Sequence, residues 1–179
     1  MASIAALAAE PVEVEKGRVA VVYFSWSPSG NTRFAAKTIA EKASADIYEI
    51  KPEKPYNSDY SACCDEANPE CRQKTLRAIK PLAIDLAKYD VVFVGTPNWW
   101  GTMAPPARTW VVNNADALKG KTVCLFQTHG GGGMQNLERD FKSITPDCKV
   151  LPAKAFSGSS VRSSIAALEK FVDERIKFK

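Results

Sequence analysis

RVAVVYF, at residues 18–24, and the loop SWSPSGNT, at residues 25–32, together indicate the fold class of this chain. The first seven residues form a nearly continuous apolar run of β-branched and aromatic side chains, which is typical of a strand buried on both faces. The loop is rich in serine and contains one glycine, and Thr32–Ala43 then carries apolar side chains at helical spacing. A buried strand, a short loop and a helix in this order predict the first unit of a parallel α/β sheet.

The rest of the chain repeats this alternation of strands and helices. Four further strands are predicted at Ala45–Ile50, Tyr89–Gly95, Lys121–Gln127 and Cys148–Ala153. One helix is predicted to begin at Pro105-Pro106 with an apolar stripe that reaches Leu118, and a last helix to run from Val161 to Ile176. Five strands with helices on both faces and right-handed crossovers favour the doubly wound order 2-1-3-4-5, although a Rossmann order also fits the pattern.

The long connection Lys51–Lys88 is the exception to this regularity. A helix is predicted over Glu70–Ile79, ended by Pro81, and the connection also holds Cys63, Cys64 and Cys71. These three cysteines leave a metal site and a disulfide open as alternatives, but neither has a recognised spacing, and the single histidine is distant in sequence. We therefore expect no metal site and a reduced chain.

Length and composition point to one ordinary globular domain. The chain has 179 residues, of which 45% are hydrophobic and 25% charged, and its formal net charge is +4. These values exclude disordered and fibrous classes, and the absence of a long apolar run or a basic block argues against a membrane span and against nucleic-acid binding. Residues 1–17 are predicted to be a flexible tail before a domain at 18–179. The apolar stretch Ala2–Ala9 lacks a basic flank, so we expect a cytoplasmic protein, with an exported form as the alternative.

Ligands of parallel sheets bind beyond the carboxyl ends of the strands, so the loops after the first, third and fourth strands are the candidate site. Ser25–Thr32 offers several hydroxyls, a glycine and a helix N-terminus, which together predict an anion cradle; a simple helix-capping loop is the alternative. Trp99 and Trp100 in the second loop suit a planar ring, or they pack beneath the loop; Trp26 could add a further wall. The third loop holds His129, a candidate proton donor or hydrogen-bond partner, and four consecutive glycines that predict close backbone approach to a ligand.

Three motifs together carry a resemblance to a known family. They are YFSWS…GNT ending at Thr32, PNWWGTM at 97–103 and THGGGG at 128–133, and SGSSVR at 157–162 accompanies them. Over about residues 18–177 the chain resembles the flavodoxin family, which implies a three-layer αβα sandwich and an FMN cofactor. Two features depart from that family: the phosphate loop is longer than the common S-x-T-G-N-T, and the chain lacks the strong acidity typical of flavodoxins.

The resemblance also implies which residues hold FMN. The phosphate would be bound by Ser25, Ser27, Ser29, Gly30, Asn31 and Thr32. One side of the isoalloxazine would be lined by Pro97, Asn98, Trp99, Trp100 and Gly101. The other side would be lined by Thr128, His129, Gly130 and Gly131.

Three functions are compatible with this interpretation. The favoured one is an electron carrier, monomeric or weakly dimeric, that serves a redox partner protein or a small-molecule acceptor. The second is an NAD(P)H-dependent FMN or quinone reductase of the same fold, in which Trp99, Trp100 and His129 form a substrate pocket. The third is a non-redox binding module that uses the phosphate loop for another ligand.

Overall fold

A computed structural model describes residues 10–26 and 28–179 of the chain. Its strands are β1 (Val12–Val14), β2 (Val19–Phe24), β3 (Asp46–Ile50), β4 (Val91–Trp99), β5 (Thr102–Met103), β6 (Thr122–His129), β7 (Lys149–Ser157) and β8 (Ile176–Phe178). Its α-helices are α1 (Asn31–Lys42), α2 (Tyr60–Gln73), α3 (Pro105–Asn113), α4 (Ala115–Leu118), α5 (Leu137–Ile144) and α6 (Ile165–Asp173). In this part of the chain, no helix combines the length and the apolarity that crossing a bilayer demands.

Five parallel strands form the central sheet in the order β3-β2-β4-β6-β7. Counted along the chain, these strands have the predicted order 2-1-3-4-5, and the α/β architecture is confirmed. All six residues of β2 are buried, and successive residues face opposite sides of the sheet. Val21 packs into the core with α1 and α6, whereas Val22 packs into the core with α3 and α5. Helices therefore cover both faces, which leaves the strand ends as the place for a ligand.

Three central strands extend beyond their predicted ends. β4 reaches Trp99, β6 reaches His129 and β7 reaches Ser157. The pairing of neighbouring strands continues along these extra residues, because Pro97 pairs with Thr128 and His129 pairs with Ser157. Residues that were expected to lie in loops are consequently held by the sheet.

The helix predicted over Glu70–Ile79 is wrong in its bounds, because α2 spans Tyr60–Gln73. The Asp59 side chain accepts a hydrogen bond from the Ala62 amide at 2.9 Å and thereby caps the helix at an earlier point. Pro69 lies inside α2, and the helix ends where Lys74 adopts a left-handed φ of 55°. A good N-cap thus begins the helix ahead of a proline that would otherwise suggest a helix start.

Both ends of the chain also differ from prediction. The last helix ends at Asp173, and Ile176 begins β8, which pairs in parallel with β1. Val14 and Ile176 are both buried in this two-stranded sheet. Val12–Val14, within the predicted tail, thus form a strand, and residues 1–9 lie outside the described residues.

Two segments that were each predicted as one continuous helix are interrupted in the structure. The stripe from Pro105 to Leu118 is divided between α3 and α4 at Asn114, whose side chain donates to the Trp110 carbonyl at 2.8 Å. The segment expected to start the last helix at Val161 forms a short 3-10 turn through Ser163 before α6 begins. In both places a polar side chain competes for the backbone groups of the helix.

Candidate functional site

A cleft of about 350 Å³ lies at the carboxyl edge of the central sheet. It is formed by the carboxyl ends of β4 and β6, by the loops after β2, β6 and β7, and by the first residues of α1 and α2. Its lining residues are Trp26, Asn31, Thr32, Tyr60, Pro97, Asn98, Trp99, Thr128, His129, Gly130, Gly158 and Ser159. The loops expected from the parallel-sheet rule thus meet in one cavity.

The loop after β2 and the start of α1, whose Asn31 and Thr32 line the cleft, have the chemistry of an anion site. α1 begins here after Gly30, whose left-handed φ of 63° turns the chain into the helix, and no described side chain caps this helix. Ser25 Oγ is buried and has no hydrogen-bond partner among the described residues. A buried hydroxyl without a partner is costly in a folded chain, so this atom points to a ligand that would satisfy it. The donors present therefore fit a phosphate group; Ser27 lies outside the described residues.

The hydroxyls of Thr32 and Thr128 join two of the loops. Their Oγ1 atoms lie 2.7 Å apart, and both side chains are buried. Thr32 belongs to the first turn of α1, whereas Thr128 lies near the end of β6. This hydrogen bond fixes the predicted phosphate loop relative to the histidine-bearing strand.

The loop after β7 is a part of the cleft that the sequence analysis did not identify. The Gly158 amide donates to the His129 carbonyl at 2.8 Å. A Cβ atom at Gly158 would lie 2.7 Å from Asn31 Nδ2, so only glycine fits there without a shift. Gly158 and Ser159 line the cleft, and the signal for them in the sequence is the SGSS motif at 157–160.

The two tryptophans at the end of β4 have different surroundings. The Trp99 ring is partly buried and makes edge contacts with Tyr56 at 5.0 Å, Phe24 at 5.7 Å and Trp26 at 6.3 Å between ring centroids. Trp100 is 43% exposed. The two alternatives for these residues therefore separate: Trp99 packs beneath the loop while lining the cleft, and Trp100 extends outward.

The exposure of Trp100 follows from a tight hairpin between β4 and β5. Trp99 pairs with Thr102, so Trp100 and Gly101 are the two central residues of the turn, with φ values of 49° and 82°. Positive φ at both central residues is what a type I′ hairpin turn requires, and a tryptophan there costs roughly 1–2 kcal/mol. Strain of this kind persists where the surroundings hold it, and it is enriched at functional sites.

Asn98 holds this hairpin against the glycine loop. Its Oδ1 accepts from the Gly101 amide at 2.9 Å, and its Nδ2 donates to the Gly133 carbonyl at 2.8 Å. The buried Gln127 side chain donates to the same Gly133 carbonyl at 2.5 Å. The two loops on either side of the cleft are therefore tied together rather than independent.

His129 has a defined orientation at the end of β6. Its Nδ1 accepts from the Gly131 amide at 3.0 Å, which places the proton of the neutral ring on Nε2. His129 lines the cleft. This side chain can consequently offer an N–H donor from Nε2 to a ligand.

A buried charged cluster supports the hairpin from behind. Thr102 Oγ1 donates to Asp140 Oδ2 at 2.5 Å and accepts from Arg108 Nη2 at 2.7 Å, while Arg108 and Asp140 themselves are 3.9 Å apart. All three side chains are buried, and burial lowers the pKa of Arg108. The hydroxyl of Thr102 is therefore the bridge between two buried charges.

A second cavity of about 270 Å³ shares its wall with the cleft. Its lining residues are Trp26, Tyr60, Cys63, Cys64, Ala67, Asn98, Trp99 and Trp100. A hydrogen bond with Cys64 raises the pKa of Tyr60, and burial raises the pKa of Cys63 to about 11. All five cysteines are free, and the described residues contain no cluster of potential metal ligands. None of the residues that line either cavity is an aspartate, glutamate, lysine or arginine.

The predicted site residues divide into three groups. Those that line the cleft are Asn31, Thr32, Pro97, Asn98, Trp99, Thr128, His129 and Gly130. Ser25 lines a neighbouring cavity with Trp26 and Tyr56, and Trp100 lines the second cavity. Ser29, Gly30, Gly101 and Gly131 belong to the same loops but do not line the cleft. Tyr60 also lines the cleft, and it was not predicted as a site residue because the helix that it begins was expected to start at Glu70.

Comparison with known proteins identifies similar sequences and folds. A sequence model of the flavodoxin family matches residues 18–174. No curated protein sequence matches the chain. A candidate flavoprotein from Bacteroides eggerthii is 29% identical over 84% of this chain and 97% of its own, with a TM-score of 0.69. One from Bacteroides uniformis is 26% identical over 88% and 99%, with a TM-score of 0.73.

A third similar structure was solved with a ligand. It is a flavoprotein from Lactobacillus acidophilus in complex with FMN, and it has a TM-score of 0.67. It is 24% identical over 82% of this chain and 97% of its own. At this identity the likeness establishes a shared fold.

Proposed function

The chain belongs to the flavodoxin family, and on that premise we propose that it binds FMN in the cleft and carries electrons between redox partners. The observation that carries the proposal is a cleft lined by the first turn of α1 and by an aromatic wall, with the partnerless hydroxyl of Ser25 in the neighbouring cavity. FMN joins a phosphate and a planar ring in one molecule, as this cleft would require. The Lactobacillus acidophilus protein of the same fold binds FMN, which supports this choice of ligand.

The phosphate would occupy the end of the cleft near α1. The N-terminus of a twelve-residue helix provides amide donors and a positive dipole there. The Ser25 hydroxyl, which has no partner among the described residues, lies in the loop that precedes this helix. Thr32, held by Thr128, would fix the loop in the binding conformation. These groups are neutral donors, so they bind an anion without the desolvation of a buried charge.

The ring end of the cleft would be formed by Trp99, Asn98 and His129. Trp99 is held by three aromatic contacts, and Asn98 by hydrogen bonds to both neighbouring loops. His129 presents its Nε2–H as a donor. Bound FMN supplies the redox chemistry, and the chain supplies binding, orientation and exclusion of water.

A flavin titration tests this proposal. We expect the purified chain, supplemented with FMN, to bind about one flavin per chain and to show flavin absorbance in the visible range. Ser25→Ala should lower FMN affinity about tenfold, while its free energy of unfolding without FMN should stay the same or rise, because the hydroxyl has no partner to lose and its burial is costly. Ser143→Ala, which removes a hydroxyl outside both cavities, is the control. Absence of FMN binding would overturn the proposal.

The second candidate function is an NAD(P)H-dependent FMN or quinone reductase. The second cavity favours it, since an aromatic pocket beside the cleft could hold a planar acceptor next to the flavin ring. A reductase should oxidise NAD(P)H in the presence of a quinone, and Trp100→Ala should weaken acceptor binding while leaving FMN affinity unchanged. A turnover below about 0.1 per second would exclude the enzyme and leave the carrier.

A further inference from the structure

The Arg162 side chain, which is far from the predicted phosphate loop in sequence, contacts that loop in the structure. It lies in the 3-10 turn Val161–Ser163 that follows β7, and its Nη2 donates a hydrogen bond to the Ser29 carbonyl. Its guanidinium also lies 5.0 Å from the centre of the Phe34 ring, on the first turns of α1. Two contacts thus hold a cation beside the loop that would bind the phosphate.

The charge of Arg162 is not balanced by a nearby carboxylate. Among the described residues, no aspartate or glutamate oxygen lies within 4.0 Å of its guanidinium nitrogens. Arg33, the other arginine near this loop, differs because its Nη2 lies 2.5 Å from Glu49 Oε1. Arg162 is therefore the arginine beside the loop that retains its positive charge for a ligand.

A phosphate monoester would be bound more tightly beside such a charge. It carries about −1.5 to −2 at neutral pH, whereas a helix N-terminus offers the equivalent of only about +0.5. The hydroxyl and amide donors of the loop add hydrogen bonds but no net charge. A guanidinium with N–H groups beyond the one used by Ser29 can supply the missing charge and further donors.

We propose that Arg162 recognises the phosphate of the bound flavin and makes the site selective for FMN over riboflavin. This inference rests on the proposed function and goes beyond it, because it assigns the selectivity to a residue outside the loops after β2, β4 and β6. It also predicts that FMN affinity depends on salt concentration, since an exposed charge pair is screened by ions. Riboflavin lacks the phosphate, so its affinity should be insensitive to Arg162.

A purely structural role for Arg162 is the competing explanation. In that role the guanidinium only holds the Ser29 carbonyl, and its charge is irrelevant to the ligand. Replacement would then disturb the loop equally at every salt concentration. The salt dependence of binding therefore separates the two roles.

The test compares four proteins with two flavins. FMN and riboflavin are each titrated into four flavin-free proteins: the wild type, Arg162→Gln, Arg162→Lys and the control Arg72→Gln. Arg72 is exposed on α2, bonds to Asn68 and lines neither cavity. Each titration is repeated between about 0.01 M and 1 M salt, where the Debye length falls from roughly 30 Å to 3 Å.

At low salt we expect Arg162→Gln to bind FMN about tenfold more weakly than the wild type, as the loss of one charged hydrogen bond implies. The difference in FMN affinity between wild type and Arg162→Gln should shrink at high salt. Arg162→Lys keeps the charge, so its FMN affinity should retain most of the salt dependence. The affinity of either Arg162 variant for riboflavin should differ from that of the wild type by less than about twofold. A tenfold loss that is independent of salt, or an equal loss for riboflavin, would overturn the proposal while flavin binding stands. If the wild type binds neither flavin, the proposed function itself fails.

Discussion

Thr102→Val should destabilise the folded chain much more than Thr109→Val, although both changes replace one buried hydroxyl with a methyl group. Thr102 is 7% exposed and Thr109 is 5% exposed, so burial does not distinguish them. Their partners do. Thr102 bridges Arg108 and Asp140, whereas Thr109 Oγ1 lies within hydrogen-bond distance of the carbonyls of Pro105 and Arg77, at 3.0 and 2.8 Å.

The expected magnitudes follow from these partners. The Thr109 hydroxyl has one proton to donate to a neutral carbonyl, so its loss should cost about 1 kcal/mol. Thr102 makes two hydrogen bonds to charged groups, and its loss leaves a buried guanidinium and a buried carboxylate 3.9 Å apart without their bridge. Charged hydrogen bonds contribute roughly 1.5–3 kcal/mol each, and partial relaxation of Arg108 toward Asp140 recovers some of this. We expect Thr102→Val to cost about 3 kcal/mol.

Urea unfolding of the flavin-free chain, followed by tryptophan fluorescence, measures the difference. With a typical urea dependence of roughly 2 kcal/mol per M, Thr102→Val should lower the midpoint by about 1.5 M and Thr109→Val by about 0.5 M. Because Thr102 pairs with Trp99 in the hairpin, FMN affinity should also fall in Thr102→Val alone. Equal destabilisation by the two changes would refute the assignment of Thr102 as a bridge between buried charges.

Three further predictions concern the core and the thiols. Gly95→Ala would place a Cβ 2.2 Å from the Phe126 ring and should lower the free energy of unfolding by at least about 2 kcal/mol in the same urea assay. The double variant Gly95→Ala/Phe126→Leu should be more stable than Gly95→Ala alone, because the smaller side chain relieves the clash. The opposite order of stability would contradict this packing. Burial raises the pKa of Cys71 to about 12, while unfolded thiols ionise near about 8.5, so the free energy of unfolding should fall as pH rises from about 9 to 12. For the same reason iodoacetamide at about pH 8 should modify Cys64 well before Cys63 or Cys71, as peptide mass spectrometry would detect.

The central sheet could be predicted because its strands carry their own signal. β2 is apolar at every position since both of its faces are covered, and such a run needs no information from elsewhere in the chain. The pairing of β1 with β8 could not be predicted in this way. Ile176 follows Val172 at a spacing of four, which continues the apolar stripe of α6, and its strand partner lies at the opposite end of the chain.

The site was predictable to the extent that it depends on strand ends. The rule for parallel sheets located the loops with Thr32, Trp99 and His129, and these three residues line the cleft. The loop with Gly158 was missed, because the last central strand was expected to end at Ala153 and instead reaches Ser157. What favours glycine at position 158 is the approach of the Asn31 side chain, a contact between two residues far apart in sequence.

The net charge of +4 is accompanied by an absence of acidic side chains from the described walls of the cleft and of the second cavity. Acidic surroundings disfavour the addition of negative charge to a bound flavin, and no carboxylate lines either cavity in the described part of the chain. The charge of Arg162 lies at the phosphate end, where it offsets the ligand's own negative charge. We therefore expect the second electron to be accepted at a less negative potential than in strongly acidic flavodoxins, as a redox titration of the FMN-loaded chain would measure. A potential as low as theirs would mean that carboxylates beyond the cavity walls dominate the field at the ring.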